Sequence, residues 1–438
     1  MARLKPELVV VNGQIATPAK SEAVSGQDMN RLTVIAEGWV ACASGIIIGV
    51  GTMAECADAV DVSPDTTVIN AAGKVVLPGL VDSHTHLVFG GSREQEFYLR
   101  AQGVDYMDIM AAGGGILSSV RATRAASLDE LVDSGLQRLG WMLSQGVTTV
   151  ECKSGYGLDL ETEIKQLRAV QILSQRHPIE LVPTFLGAHA WPPEYRGREE
   201  EYVDAIIVEM LPEIARRGLA EYCDVFCEAS VFSVDQTRRI MQRAQELGFK
   251  LRLHADEMTG LGGAELAGEL RAASADHLLQ VSDRGIDALR TGGVMPVLLP
   301  ATAFVLKKRY APARKMISAG LPVALATDFN PGSAPVPSML LVMSLACLYM
   351  GLTPEEAINA ATINAAASLD RADRIGSLAV GKQADLAIFA VSHYRHIPYF
   401  VGADLVETVI KRGQVVYQKP QEKGDGDVTR FDSQSVSS

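Results

Sequence analysis

Between Lys74 and Arg374 the chain repeats one pattern eight times: a short apolar run followed by a stretch with helical amphipathicity. The runs are VVLPGLVDSH, GVTTVECK, IELVPTFLGAH, YCDVFCE, LRLHADE, ASADHL, VMPVLLP and PVALATDF. Candidate helices between them include ETEIKQLRAVQILSQ, VDAIIVEMLPEIARR and VDQTRRIMQRAQELG. A strand covered on both faces reads as a continuous apolar run, and parallel neighbours need a crossover, usually a helix. Eight such units predict an α/β fold: a (β/α)8 TIM-like barrel over residues 74–374.

The flanks differ in texture. Residues 1–73 carry LVVVNGQIAT, RLTVIAEGWVACASGIIIGVG and TVINAAG, and residues 375–420 carry SLAVGKQADLAIFAV and LVETVIKRGQVVYQK. Valine and isoleucine between Gly and Asn turns predict strands, so the two ends are expected to pair into one small composite β domain. The polar tail, residues 421–438, is expected to be disordered. The stretch Met339 to Met350 is apolar but shorter than the roughly 18 residues a membrane span requires, and it predicts a buried helix.

Charge and cysteine usage narrow the partners. A net charge of -12 repels phosphate backbones and anionic lipids, which argues against nucleic-acid or membrane partners. The N-terminus MARLKPELVVVNG lacks a secretory pattern. Six scattered cysteines, with Cys223 and Cys227 close but no second pair beside them, predict reduced thiols in the cytoplasm.

In such a barrel, function gathers at the C-terminal ends of the strands. The first run ends in His84-Thr85-His86, and positions i and i+2 of a strand point the same way. The fifth ends in His254, followed by Asp256 and Glu257; the sixth ends in His277 and the eighth in Asp328. Three of these histidines, His84, His86 and His254, with Asp328 at the same rim, suit a zinc- or iron-class ion with one position open to water, and His277 is expected nearby as a base or an oxyanion partner. A lone histidine there is usually structural, and Asp328 could simply cap the turn DFNPG; it is the joint pattern that indicates metal. Glu257, three residues after a proposed ligand, suits proton transfer. The fourth run offers no lysine to bridge two ions, and Glu228 near its end could do so only in principle, so a single ion is expected. His177, His393 and His396 fall outside the pattern. Arg93, Tyr156, His189 and Ser333 follow strands one, two, three and eight, and suit an anionic small-molecule substrate. Arginine can hold a carboxylate through two parallel hydrogen bonds, and the others add neutral groups.

The segments PGLVDSHTHLVFGGSRE, ECKSGYGLDLETE, FLGAHA, DVFCE, HADE, SADHL, ATDFNPGS and GSLAVGKQADLAIF together closely resemble the imidazolonepropionase family of the amidohydrolase superfamily. The resemblance runs from about Val75 to Phe389; ECKSGYGL, GGSRE and TDFNPGS are its narrowest motifs. It implies one zinc or iron ion held by His84, His86, His254 and Asp328. It implies substrate or product contacts from Arg93, Tyr156, His189, Glu257, Asn330, Gly332 and Ser333. The implied reaction, a step of histidine catabolism, is hydrolysis of the ring amide of 4-imidazolone-5-propanoate to N-formimino-L-glutamate. The expected catalytic residues are Asp328 as acceptor of the water proton, His277 as oxyanion partner, and Glu257 as the group that moves a proton to the ring nitrogen. A homodimer is the assembly expected. The rival readings are an aromatic deaminase, which would have no use for an Arg93 carboxylate clamp, and a non-catalytic scaffold, which would have no reason to keep four ligands and a base.

Overall fold

Each of the eight apolar runs supplies one barrel strand. The computed structural model describes residues 3–104, 108 and 113–420, so the expectation of disorder beyond residue 420 lies outside the described residues. Among the described residues the sixteen strands begin, in chain order, with β1 (Leu8–Pro18), β2 (Leu32–Ala43), β3 (Ile46–Thr52), β4 (Thr67–Asn70) and β5 (Val75–Pro78). The barrel strands follow: β6 (Leu80–Asp82), β7 (Val147–Lys153), β8 (Glu180–Ala188), β9 (Tyr222–Cys227), β10 (Lys250–Ala255), β11 (Ser274–His277), β12 (Met295–Leu298) and β13 (Ala324–Leu325). Last come β14 (Leu386–Phe389), β15 (Val406–Lys411) and β16 (Gln414–Gln418).

Strands β6 to β13 pair in sequential order, every ladder parallel. Helices such as Leu160–Arg176 and Val234–Glu246 cross over between them. The segment VDAIIVEMLPEIARR departs from one uniform helix: a π turn at Ile206–Met210 separates Glu199–Ala205 from Leu211–Arg217. Pro212 has no N–H to bond back into the preceding turn, which is where the regular ladder gives way.

No ladder joins the two outer strands, β6 and β13. The barrel closes just beyond them, at its mouth. Thr85 and Phe329 form an isolated parallel bridge, with His86 N donating to Phe329 O (2.8 Å) and Asp328 N to His84 O (3.0 Å). Lower down, Asp82 accepts the N–H and hydroxyl of Thr327 at 3.0 and 2.6 Å.

The two ends of the chain share one sheet, ordered β16-β15-β14-β5-β1-β2-β3 with β4 beside β1. Its core includes Val10, Ile15, Val40, Ile47, Leu386 and Ile410. The sheet runs past the expected boundary at residue 73, because β5 pairs with β1 and β14. The first apolar run therefore serves two sheets and changes over at Gly79, where a Cβ would lie 2.3 Å from Thr148 Oγ1. The helix Met339–Met350 forms as expected, mostly buried. No helix of the described residues is long and apolar enough to cross a membrane. All six cysteines are free thiols.

Candidate functional site

The candidate residues of the strand ends gather at one rim. His84 and His86 follow β6, His254 lies on β10, His277 ends β11 and Asp328 follows β13; each is at most 3% exposed. His254 Nε2 stands 3.4 Å from His86 Nε2. Asp328 Oδ1 stands 3.4 Å from His86 Nε2 and 3.5 Å from His84 Nε2. A tetrahedron with ligands about 2.1 Å from its centre has edges of about 3.4 Å; the three separations match that edge, and His84, His86 and Asp328 form one grouping that could hold an ion. His84 Nε2 is buried with no hydrogen-bond partner, as are both ring nitrogens of His277. His277 and His189 sit close enough to the same centre to join three-histidine groupings with His84 and His254, and with His86 and His254.

Protonation follows from the surroundings. Burial drives the pKa of His254 well below its ordinary value and lowers that of His86, which leaves the neutral imidazoles a metal needs. Burial and Lys153 oppose charge on His84 as well, but Asp276 and Asp328 raise its pKa to about 9, so an incoming cation displaces a proton there. Burial disfavours ionised Asp328, yet the adjacent His84 and His86 imidazoles hold its pKa well below the usual carboxylate range. Burial raises the pKa of Glu257, whose Oε2 lies 3.6 Å from His277 Nε2.

The backbone is strained at this rim. Asp256, His277, Leu278 and Asp328 have φ of 50°, 75°, 61° and 55°. Such left-handed positions cost about 1–3 kcal/mol each for residues other than glycine and gather at functional sites. Here they turn three strand ends sharply towards one point. Thr302 fixes the roll of the Asp328 carboxyl by donating to Oδ2 at 2.6 Å.

The substrate set lies alongside. Tyr156 packs against His86 and His189, with ring centroids 5.8 and 5.4 Å apart. His189 Nδ1 pairs with the Gly155 carbonyl at 2.9 Å. A carbonyl only accepts, so Nδ1 carries the proton and Nε2 is an acceptor; burial takes the ring's pKa down to about 3. Arg93 gives Nε–H and an Nη2–H to Glu96 Oε2, at 2.9 and 2.6 Å. Its Nη1 lies over Gly332, where a Cβ would be only 1.9 Å away. Asn330 organises the strand-eight loop: Oδ1 accepts the N–H groups of Gly332 and Ser333 (both 2.8 Å), and Nδ2 donates to Asp328 O and Ser333 Oγ.

Glu228 does not face the centre. It receives the Met258 and Thr259 N–H groups at 2.9 and 3.3 Å and the Thr259 hydroxyl, and so pins the loop that carries Glu257. His177 caps a helix, and His393 and His396 lie beside each other near the composite sheet.

Several residues of the site escaped the sequence reading. Asp276 Oδ2 bonds His84 Nδ1 at 2.6 Å, and Asp224 Oδ1 bonds His254 Nδ1 at 3.0 Å. Glu163 receives Gly155, Gly157 and Leu158 N–H, and holds the loop bearing Tyr156. Glu96 orients Arg93. A charged residue in the middle of a doubly covered strand, such as Asp224 in YCDVFC, is the signal that was available, since it must meet another charge.

The model of the amidohydrolase family matches residues 75–416. An imidazolonepropionase of Alkaliphilus oremlandii is 52% identical over 92% of this chain and 96% of its own length. One of Clostridium tetani is 51% identical over 95% and 99%. Among solved structures, a zinc-bound adenosine deaminase of Xanthomonas campestris superposes with a TM-score of 0.70 at 19% identity, covering 94% of this chain and 93% of its own. Escherichia coli guanine deaminase does so with 0.73 at 15%, covering 94% and 99%. At those identities the two deaminases speak to the fold.

Proposed function

Because the chain belongs to the amidohydrolase family and, within it, to the imidazolonepropionases, we propose a division of labour among its own residues for opening the ring of 4-imidazolone-5-propanoate. The enzyme is a metal-dependent hydrolase of histidine degradation, and N-formimino-L-glutamate is its product. One observation carries the assignment of roles: three imidazoles and one carboxylate gather at the barrel mouth, with His254–His86, His86–Asp328 and His84–Asp328 separations of 3.4, 3.4 and 3.5 Å.

His84, His86, His254 and Asp328 would hold one zinc or iron ion. When bound, such an ion supplies a water acidified towards neutrality and a Lewis acid for the ring carbonyl. Asp328 accepts the proton of the attacking water at its carboxylate. His277 Nε2 donates to the oxygen that becomes negative as the carbonyl carbon turns tetrahedral. Glu257, its pKa raised by burial, carries a proton to the ring nitrogen as the C–N bond breaks. Arg93 Nη1 meets the propanoate, with the bare Gly332 as its floor and Ser333 and Tyr156 as neutral donors. Asn330 keeps that floor in place, and His189 Nε2 accepts a ring N–H. The cytoplasm, where thiols stay reduced, is the proposed location. A homodimer is the proposed assembly; exposed Leu348, Tyr349, Tyr399 and Phe400 provide apolar surface for it to cover, and light scattering would read its mass.

The test is turnover of freshly generated imidazolonepropionate, followed by loss of its ultraviolet absorbance. Metal-loaded enzyme is expected to consume it, to lose activity on chelation, and to leave neutral analogues without the propanoate largely untouched. Equal turnover of such an analogue would overturn the Arg93 assignment.

A further inference from the structure

The barrel interior below the histidines is charged, and the mechanism above makes no use of that charge. Glu151 and Lys153 on β7, Asp224 on β9, Arg252 on β10 and Asp276 on β11 are all fully buried. Three carboxylates face two cations, and Lys153 stands between them. Its Nζ lies 2.8 Å from Glu151 Oε1, 2.8 Å from Asp224 Oδ2 and 4.0 Å from Asp276 Oδ2. Burial opposes charge on this amine, yet Asp224 and Glu151 keep its pKa above the ordinary value, so it is an ammonium. Two of the carboxylates reach a proposed ligand directly, and the third reaches the backbone between two of them. Asp224 bonds His254 Nδ1 and Asp276 bonds His84 Nδ1. Glu151 Oε2 accepts the N–H of Thr85, between His84 and His86, at 3.1 Å.

We propose that Lys153 is the positioning residue of the metal centre: one buried ammonium that holds the His254 ring through Asp224, and the Thr85 backbone between His84 and His86 through Glu151, in the orientation that receives the ion. Arg252 does not duplicate it. Its Nη2 reaches Asp276 at 3.2 Å, but its other bonds go to the carbonyls of Ser83 and Ser368, and its Nε is 4.0 Å from Glu151. Removing the ammonium leaves Asp224 and Glu151 facing each other across a buried interior with no counter-charge between them. Like charges there repel strongly and a bare buried carboxylate is costly, so the pair separates, and the His254 ring and the Thr85 backbone that they hold move with them. Loss of such outer partners typically weakens metal binding about 10–100-fold.

The inference rests on the ligand assignment above, and the experiment separates the two. Zn2+ affinity is measured by competition with a chromogenic chelator, and ligand geometry by the visible bands of the Co2+ form. Both are read on the unaltered full chain, on Lys153→Met, and on Lys153→Met combined with Glu151→Gln, which restores the charge balance. We expect Lys153→Met to weaken Zn2+ binding about 10–100-fold and to shift the Co2+ bands. The double variant is expected to recover most of the loss, since the amide oxygen that Glu151→Gln retains can still accept from Thr85; a lysine needed only for packing would show no such recovery. Unchanged Zn2+ affinity and Co2+ bands in Lys153→Met overturn the inference, as does a double variant that binds no better than the single one. If the single variant does not fold and the double one folds and binds, the charge role stands. If neither folds, the lysine serves barrel assembly instead and the inference falls. Failure of the unaltered chain to bind Zn2+ would overturn the ligand assignment first, and this inference with it.

Discussion

At the scale of single residues, the site depends on an atom that is missing. Arg93 occupies the space where a side chain at position 332 would begin. Gly332→Ala should push the guanidinium away from the propanoate. Substrate KM should rise at least about tenfold, the equivalent of one displaced charge-assisted hydrogen bond of about 1.5 kcal/mol, while metal content stays at one ion per chain. Steady-state kinetics beside elemental analysis check this; an unchanged KM would show that the carboxylate binds elsewhere. The acidic pair separates differently. Asparagine at 328 keeps an oxygen for the ion and for Thr302 but accepts no proton at neutral pH. Asp328→Asn, saturated with metal, should lose about 10²–10⁴ in kcat and bind metal more weakly. Glu257→Gln should lose kcat while keeping its metal, because Glu257 is not among the four proposed ligands. Near-normal kcat in fully loaded Asp328→Asn would move the role of base to His277.

At the scale of elements, strands end in loops, and the loops are held by buried acids. Glu163 takes three backbone N–H groups of the segment around Tyr156, and Gln166 takes a fourth, that of Tyr156 itself. In Glu163→Gln an amide NH2 replaces one of the accepting oxygens and faces an N–H. Leaving such a donor unsatisfied costs about 1–3 kcal/mol. Chemical denaturation should register that loss, and substrate KM should rise with kcat less affected; full retention of both would mean that the loop holds itself. These supports define what could be read beforehand. The eight strands were legible because continuous apolar runs have few other uses, and His84, His86, His254, His277 and Asp328 were legible because they interrupt apolarity at strand ends. Glu151, Lys153, Asp224, Arg252 and Asp276 interrupt it in strand interiors. There a charge gains meaning only from its neighbours on adjoining strands, and strand pairing is not written in any one segment. The handover of one apolar run between two sheets at Gly79 was hidden for the same reason.

At the scale of the whole molecule, residues about 240 positions apart meet at the one place where no strand ladder closes the barrel. The proposed ligands lie on both sides of that seam: His84 and His86 on one, Asp328 on the other. An ion held a thousandfold above its dissociation constant adds about 4 kcal/mol to folding. Exhaustive chelation should therefore lower the thermal midpoint by several degrees, with hydrogen exchange rising first at residues 80–86 and 324–329; a uniform rise across the barrel would argue against a local clasp. The seam also bears on the lifetime of the protein. Without the clasp, β6 and β13 are joined only by the Thr85–Phe329 bridge and the few hydrogen bonds of Asp82, His86 and Asp328, and loosened edges are what proteases and aggregating partners find. Metal supply would then govern how much of this enzyme survives as well as how fast it works, and a cell short of the ion would clear the idle copies first.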